Sequence, residues 1–246
     1  MELEKFYIVA ATPRTGSSLL CEGLRSTEIA GHPVEVFAPL FRGMWYRRLL
    51  LRSSTRFEDF FLAALKYGTS INGVYGLKIQ WMHVAKLAKD LSFKGETEDV
   101  FDAYFPGARF VNIVRRNRRE QAISWYRAIA TNEWWRINSN NRHRMALVEP
   151  KFDTKAIQSL EIEIDRQQKA WDQFFSTRRI SPLVVEYENL SKDYNGQVAS
   201  VLSFLNLDSA KAMQIPPPRL IKQADKVTAE WCKLMEVTHG QEVRHE

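Results

Sequence analysis

A phosphate-binding loop is predicted at residues 12–18, where the sequence reads TPRTGSS. The preceding run, residues 6–11, is short, apolar and rich in aromatic and β-branched residues, which is typical of a buried parallel strand. From Ser17 onward, leucines recur at helical spacing. A strand, a tight loop and a helix start bring backbone N–H groups together at the positive end of a helix, and that arrangement binds anions.

The side chains of this loop indicate what kind of anion it binds. Arg14 can make a charge-assisted, bidentate contact to an oxyanion, and the serine hydroxyls can donate further hydrogen bonds. The loop lacks the Gly-Lys-Ser/Thr with which nucleotide triphosphatases reach the terminal phosphates and hold Mg²⁺. We therefore expect a phosphate-like ligand that needs no metal. An ordinary strand-to-helix turn capped by Ser17 is the structural alternative.

A second anion site is predicted where the apolar run 109–114 leads directly into the basic residues 115–119. The next helix, predicted over residues 120–130, places Ser124 within about one turn of that basic loop. Arginine at a strand end and serine in the following helix can together bind a phosphate. A solvated basic turn is the alternative.

Two further charged residues lie at positions that a parallel sheet would bury or turn toward its ligand crevice. Glu35, in a predicted loop over residues 28–39, has apolar neighbours that predict a raised pKa suited to proton transfer. Lys78 lies inside a predicted strand, residues 74–80, where an unpaired charge is costly unless it faces a ligand. A surface glutamate and an edge-strand lysine are the alternatives.

The alternation of strands and helices predicts the fold class. A fourth strand is predicted at residues 183–187, and helices are predicted at 153–178, with Asp153 as a cap, and at 196–205. We expect an α/β fold with a P-loop-like parallel sheet flanked by helices, in a single domain over residues 1–246. Both anion sites then lie at one edge of the sheet, which suits a ligand with two separated phosphate-type groups.

Basic residues are concentrated in two places, although the overall composition is ordinary for a globular protein. The net charge is +6, and residues 42–56 contain five arginines. Such clusters favour anionic partners. Nucleic acid is not expected, because no zinc-finger or RNA-recognition motif is present. The segment 42–56 also contains bulky apolar residues, and it is a candidate contact for a peripheral membrane surface or for a homodimer.

The two cysteines and the first residues of the sequence indicate the cellular compartment in which the protein is expected. Cys21 and Cys232 form no disulfide framework and no Cys-x-x-Cys pair, which favours a reducing compartment, and Cys21 is expected to fill apolar space in the first helix. The start, MELEK, predicts no signal peptide, and no stretch approaches a membrane span. We expect a cytoplasmic protein. The five histidines lack metal-ligand spacing, and only His32 is expected near the site.

These motifs resemble those of the sulfotransferases that use 3′-phosphoadenosine 5′-phosphosulfate (PAPS), and most of all the bacterial trehalose 2-sulfotransferase family. The likeness extends over most of the chain through four stretches: GHPVE (31–35), YGLKIQW (75–81), QAISWYRA (121–128) and KQADKVTAEW (222–231). The resemblance implies a sulfotransferase fold and transfer of a sulfuryl group to a hydroxyl, with PAPS as donor, adenosine 3′,5′-bisphosphate (PAP) as product and no metal.

The resemblance also implies roles for individual residues. Glu35 falls where this family has its catalytic carboxylate, and Arg14 and Lys78 are expected to stabilise the charge that develops during transfer. Either Arg115 or Arg116 could bind the 3′-phosphate together with Ser124. The wider superfamily places the phosphate-binding arginine eight residues before the serine, which would be Arg116, whereas this family places it nine residues before, which would be Arg115. The implied donor-binding residues are Pro13, Arg14, Thr15, Gly16, Ser17 and Ser18 at the 5′-phosphosulfate, Arg115 and Ser124 at the 3′-phosphate, Tyr187 near the adenine, and Lys222 closing over the nucleotide.

The acceptor is implied only as a class, a hydroxyl of a carbohydrate or glycolipid. Because the stretch after Glu35 is more arginine-rich than recognition of a neutral disaccharide requires, trehalose, other glycans, glycolipids and acidic saccharides all stay open. Two rival functions also stay open: a P-loop small-molecule kinase, which would need ATP and Mg²⁺, and a non-catalytic module that binds nucleotides or anions.

Overall fold

The structure, a computed structural model, describes residues 5–135, 150–220 and 226–242, with side chains of the last helix to residue 236. The strands of the described residues form one sheet in the order β2-β1-β3-β4, and every adjacent pair is parallel. The strands are β1 (Lys5–Ala11), β2 (Val74–Gln80), β3 (Arg109–Val114) and β4 (Leu183–Glu186). The parallel α/β fold predicted from the sequence is confirmed.

Helices connect the strands. Among the described residues, no helix is both long and apolar enough to cross a membrane. The α-helices are α1 (Ser17–Ser26), α2 (Arg42–Arg48), α3 (Phe57–Gly68), α4 (Val84–Asp90), α5 (Val100–Tyr104), α6 (Arg118–Thr131), α7 (Thr154–Thr177), α8 (Tyr187–Leu190), α9 (Tyr194–Phe204) and α10 (Lys226–Glu242).

Several predicted boundaries differ from the structure by one or two residues; helix α9, for example, spans Tyr194–Phe204 and not residues 196–205. The fourth strand ends at Glu186, and Tyr187 begins α8 instead of ending the strand as predicted. Helix α6 begins at Arg118, two residues before the predicted start, because Asn117 caps it by accepting the backbone N–H of Glu120 at 3.0 Å. The predicted cap of α7 is confirmed, since Asp153 accepts the N–H of Ala156 at 3.0 Å.

Helices cover both faces of the sheet, and alternate residues of β1 pack into the two resulting cores. Ile8 and Ala10 belong to a core that α3, α4, α5 and α7 cover, whereas Tyr7 and Val9 belong to a core that α1 and α9 cover. Successive strand residues point to opposite faces, so a strand buried on both faces must be apolar throughout. This burial accounts for the uninterrupted apolar run that predicted β1.

Trp171 of α7 links the core to the end of β1. The residue is fully buried, and its ring packs against Trp81, Phe101 and Phe175. Its indole Nε1–H donates to the carbonyl of Ala11 at 3.0 Å. The last carbonyl of β1, directly before the predicted anion-binding loop, is therefore held by the core.

Replacing Trp171 with alanine is expected to destabilise the protein by about 3–5 kcal/mol, because it leaves a large cavity and an unpaired buried carbonyl. The free energy of unfolding from urea titration measures the change. Ile162→Ala, on an exposed position of the same helix, serves as the control and should cost less than about 0.5 kcal/mol. Equal losses for the two variants would contradict the role assigned to Trp171.

Candidate active site

A cavity of about 460 Å³ is lined by residues from the carboxyl ends of all four strands of the sheet. Arg14 follows β1, Gln80 ends β2, Arg115 follows β3 and Tyr187 follows β4. In open parallel sheets this edge is where ligands bind. The structure thus brings both predicted anion-binding loops to one cavity.

The loop after β1 is held by hydrogen bonds from a side chain that was not predicted from the sequence. Gln121 of α6 is fully buried, and its Nε2 donates to Thr12 Oγ1 at 2.9 Å and to the Pro13 carbonyl at 2.7 Å. Thr15 is also buried, and its hydroxyl donates to the Thr12 carbonyl at 3.1 Å rather than lining the cavity. The stretch QAISWYRA contained Gln121, but nothing in the stretch indicated this contact.

Arg14 joins the first loop to helix α6. Its Nε–H donates to Ser124 Oγ at 3.0 Å, and its Nη1 donates to the Trp134 carbonyl at 2.6 Å. Burial, together with the nearby Arg115 cation, lowers the pKa of Arg14 to about 10, so the guanidinium stays charged at neutral pH. Ser124, predicted to act with Arg115, is therefore hydrogen-bonded to the arginine of the first loop.

A buried charged cluster lies beside this loop. Lys78 Nζ is 2.7 Å from Glu35 Oε2 and also donates to Ser18 Oγ at 3.2 Å. His83 Nδ1 lies 3.2 Å from Glu35 Oε1, close enough for an ion pair but not aligned for a hydrogen bond. Lys78 does lie in an edge strand, β2, but its side chain is buried and paired inside the site.

The predicted rise in the pKa of Glu35 is wrong. Burial does favour the neutral carboxyl, but the neighbouring Lys78 and His83 outweigh burial and hold the pKa of Glu35 below its usual range. His83 was missed, and His32 was wrongly placed near the site. His32 Nδ1 lies 3.0 Å from the carbonyl of Tyr67, and its side chain does not line the cavity.

Backbone contacts bring Glu35 to Lys78. Val34 forms an isolated parallel bridge with Leu77 of β2, and the N–H of Lys78 donates to the Val34 carbonyl at 3.2 Å. Gly31 makes the preceding turn with φ +66°, where an added Cβ would lie 2.6 Å from the Gly68 carbonyl oxygen. The loop before α2 is therefore docked along β2, which places the carboxylate beside the lysine.

The structure distinguishes Arg115 from Arg116. The Arg115 side chain is 6% exposed, lines the cavity, and lies with its Cζ 4.7 Å from the ring centroid of Tyr187. Its Nη2 is 2.6 Å from Glu120 Oε2. The Arg116 side chain is 59% exposed, lies near Glu188, and does not line the cavity. Arg115 is therefore the arginine of this strand exit that faces the cavity.

Aromatic and C-terminal residues complete the wall of the cavity. Phe41 packs against Trp135, with ring centroids 4.9 Å apart, and both residues line the cavity. Leu220 and Thr228 line it from the C-terminal part of the chain, and the N–H of Leu220 donates to Glu22 of α1 at 3.2 Å. Lys222, predicted to close over the nucleotide, lies outside the described residues.

Neither Cys21 nor Cys232 lines the cavity. Cys21 is buried in the core beside α9, and burial raises the pKa of its thiol to about 12. This confirms the prediction that Cys21 fills apolar space. Across the described residues, no three His, Cys, Asp or Glu side chains are placed to hold a metal ion.

Comparison with known proteins identifies the family. The family model for the Stf0 sulphotransferases matches residues 6–236. The chain belongs to the Stf0 sulfotransferase family. This membership makes it an enzyme of the sulfotransferase class and confirms the resemblance drawn from the sequence motifs.

Two curated relatives with the name trehalose 2-sulfotransferase are similar to the chain over nearly its whole length. The protein from Mycolicibacterium smegmatis is 29% identical over 255 residues, and the protein from Mycobacterium tuberculosis is 30% identical over 252 residues. Each alignment covers 92% of this chain and 92% of the relative.

Solved structures of two sulfotransferases align at lower similarity. The sulfotransferase domain of the olefin synthase from Synechococcus PCC 7002 has 14% identity and a TM-score of 0.46, covering 93% of this chain and 83% of its own. A sulfotransferase from Alicyclobacillus acidocaldarius also has 14% identity and a TM-score of 0.46, covering 95% of this chain and 92% of its own.

Both backbone conformation and space constrain Gly16 of the first loop in this Stf0 family member. It has φ +80°, and an added Cβ would lie 2.4 Å from Tyr187 Cδ2. Gly107 has a similar φ of +67° but open space around its Cα. We expect Gly107→Ala to cost about 1 kcal/mol from backbone strain alone, and Gly16→Ala to cost about 1–3 kcal/mol more because of the clash.

Urea titration of both variants measures this difference. Because the tyrosine ring causes the extra loss, the double variant Gly16→Ala with Tyr187→Ala should lose less stability than the two single losses added together. Strict additivity, or equal losses at positions 16 and 107, would show that the ring does not constrain the loop.

Proposed function

We propose that the chain, as one domain over residues 1–246, transfers a sulfuryl group from PAPS to a hydroxyl of a carbohydrate or glycolipid. One observation carries the proposal: Arg14, Arg115, Ser124 and the buried carboxylate of Glu35 all line a single cavity, with Glu35 paired to Lys78 beside the first loop. A donor with phosphate-type groups at both ends of one adenosine suits that spacing of charges.

The first loop would hold the 5′-phosphosulfate. Ser17 and Ser18, which begin α1, line the cavity together with the cationic residues Arg14 and Lys78. The side chain of Ser18 already accepts a hydrogen bond from Lys78. Helix N-termini with adjacent cations bind such groups through charge-assisted hydrogen bonds.

Arg115, Ser124 and Tyr187 would hold the nucleoside end. The Nε of Arg115 is buried and, among the described residues, lacks a hydrogen-bond partner. An unpaired buried donor is costly, and a phosphate oxygen would satisfy it. Tyr187 lines the same cavity, with the Arg115 guanidinium over its ring, and would lie near the adenine. These features fit a 3′-phosphoadenosine group.

Glu35 would act as general base. Its lowered pKa keeps the carboxylate ionised at neutral pH, ready to accept a proton from the acceptor hydroxyl. Lys78 and Arg14 would stabilise negative charge on the transferring and leaving oxygens, a role that needs fixed cations in a water-poor site. The donor itself supplies the activated sulfuryl group.

The acceptor class is supported by the relatives and by the aromatic wall. Both curated relatives are named for trehalose, and the rings of Phe41 and Trp135 offer apolar faces of the kind on which sugars pack. Leu40 at the same wall is 63% exposed. Glycolipids and acidic saccharides stay candidates.

Four further expectations stay predictions: a cytoplasmic location, a homodimer, peripheral membrane contact through residues 42–56, and the lack of a nucleic-acid partner.

The first test replaces Glu35 with glutamine. We expect sulfuryl transfer to fall by at least about a hundredfold, because the base is lost, while PAP binding changes little. Radiolabelled PAPS and a panel of saccharides and glycolipids measure transfer, and calorimetry measures PAP binding. Glu58→Gln, on the exposed surface of α3, removes one negative charge elsewhere and should leave transfer unchanged.

The same assay separates the rival functions. A kinase would consume ATP only with Mg²⁺ and leave PAPS untouched. A binding module would bind PAP without transferring sulfate to any acceptor. Transfer by Glu35→Gln within a few-fold of the parent would refute the base assignment, although not the donor.

The second test compares two neighbouring arginines. Because Arg115 lines the cavity and Arg116 does not, Arg115→Ala should raise the Kd of PAP by about 10–100-fold, the loss expected for a charge-assisted contact. Arg116→Ala should raise it by less than about threefold. Calorimetry with PAP measures both variants, and a larger loss at Arg116 would reverse the assignment.

A further inference from the structure

Arg115 already has an anionic partner inside the cavity. Glu120 Oε2 lies 2.6 Å from Arg115 Nη2, and Glu120 lines the cavity with 33% of its side chain exposed. It lies one helical turn before Ser124, so both side chains are on the same face of α6. A carboxylate therefore occupies the region proposed for the 3′-phosphate.

The start of α6 explains why Glu120 is free to reach Arg115. With Asn117 as N-cap, Glu120 is at the third helical position, from which a glutamate usually reaches back to the N–H of the cap residue. Here Glu188 accepts that N–H of Asn117 at 3.3 Å and the N–H of Arg116 at 3.1 Å. Because the capping role is taken by Glu188, the carboxylate of Glu120 points to the cavity arginine.

We propose that Glu120 is a displaceable counter-ion of Arg115 that weakens binding of the 3′-phosphate and so favours release of the spent nucleotide. The inference rests on the proposed function. Without ligand, Glu120 compensates the buried Arg115 charge. With ligand, the phosphate takes its place on Arg115 and must also tolerate a nearby negative charge, so part of the binding free energy is lost.

A purely structural role for Glu120 predicts the opposite result. If the carboxylate served to hold Arg115 in its binding orientation, then removing it would loosen the arginine and weaken phosphate binding. If it is a competitor, removing its charge strengthens binding. The sign of the change in affinity therefore decides between the two roles.

The experiment measures the Kd of PAP and of adenosine 5′-monophosphate by calorimetry for the parent, Glu120→Gln and Glu120→Ala. We expect both variants to bind PAP about tenfold more tightly, and less so at high salt, because a like charge near the phosphate has been removed. The monophosphate lacks the 3′-phosphate, so its Kd should change by less than about threefold.

Glu161→Gln is the matched control. Glu161 of α7 pairs with Arg119 at 3.2 Å and does not line the cavity, so its variant makes the same change in net charge at a distance from the site. It should leave both affinities unchanged. Comparable tightening by Glu161→Gln would show that the effect is one of overall charge and would overturn the inference.

The remaining outcomes of this experiment also test the role of Glu120. Unchanged or weaker PAP binding by both Glu120 variants, with the parent binding well, would overturn this inference and leave the donor proposal intact. Tightening for PAP and the monophosphate alike would also overturn it, because the effect would not depend on the 3′-phosphate. If neither the parent nor the variants bound PAP, the donor proposal and this inference would both fall.

Discussion

The buried pair of Glu35 and Lys78 is the contact on which the rest of the site depends. Either charge alone at that depth would be costly, whereas the two together largely compensate each other. The pair also fixes geometry, because Glu35 comes from a loop docked on β2 and Lys78 reaches across to Ser18 at the start of α1. One electrostatic contact thus holds the carboxylate, the cation and the loop after β1 in a common arrangement.

Tyr187 has a similar connecting role at the other end of the cavity. Its ring lies against Gly16 of the first loop and under the guanidinium of Arg115. Behind the loop, Trp171 binds the last carbonyl of β1 and Gln121 binds Thr12 and Pro13. The loop is therefore held on three sides by the core and by neighbouring helices.

The features that were predicted correctly from the sequence are those that local residue patterns determine. The apolar runs of β2 and β3 and the strand-loop-helix of the first site agree with the structure, because burial on both faces and helical periodicity leave direct marks in a sequence. Contacts between distant segments leave no such mark. The lowered pKa of Glu35 depends on Lys78 and His83 from another strand end, and only the folded chain shows that Arg115, not Arg116, faces inward.

Helix α6 fixes the spacing between two contacts with the loop after β1. Gln121 fixes the first loop and Ser124, three positions on, meets Arg14, so both contacts depend on one helical register. A single residue inserted between them would rotate everything beyond it by about 100° and turn the hydroxyl away from the guanidinium. Homologous chains that vary in length should therefore place their insertions in connecting loops and keep this segment at constant length.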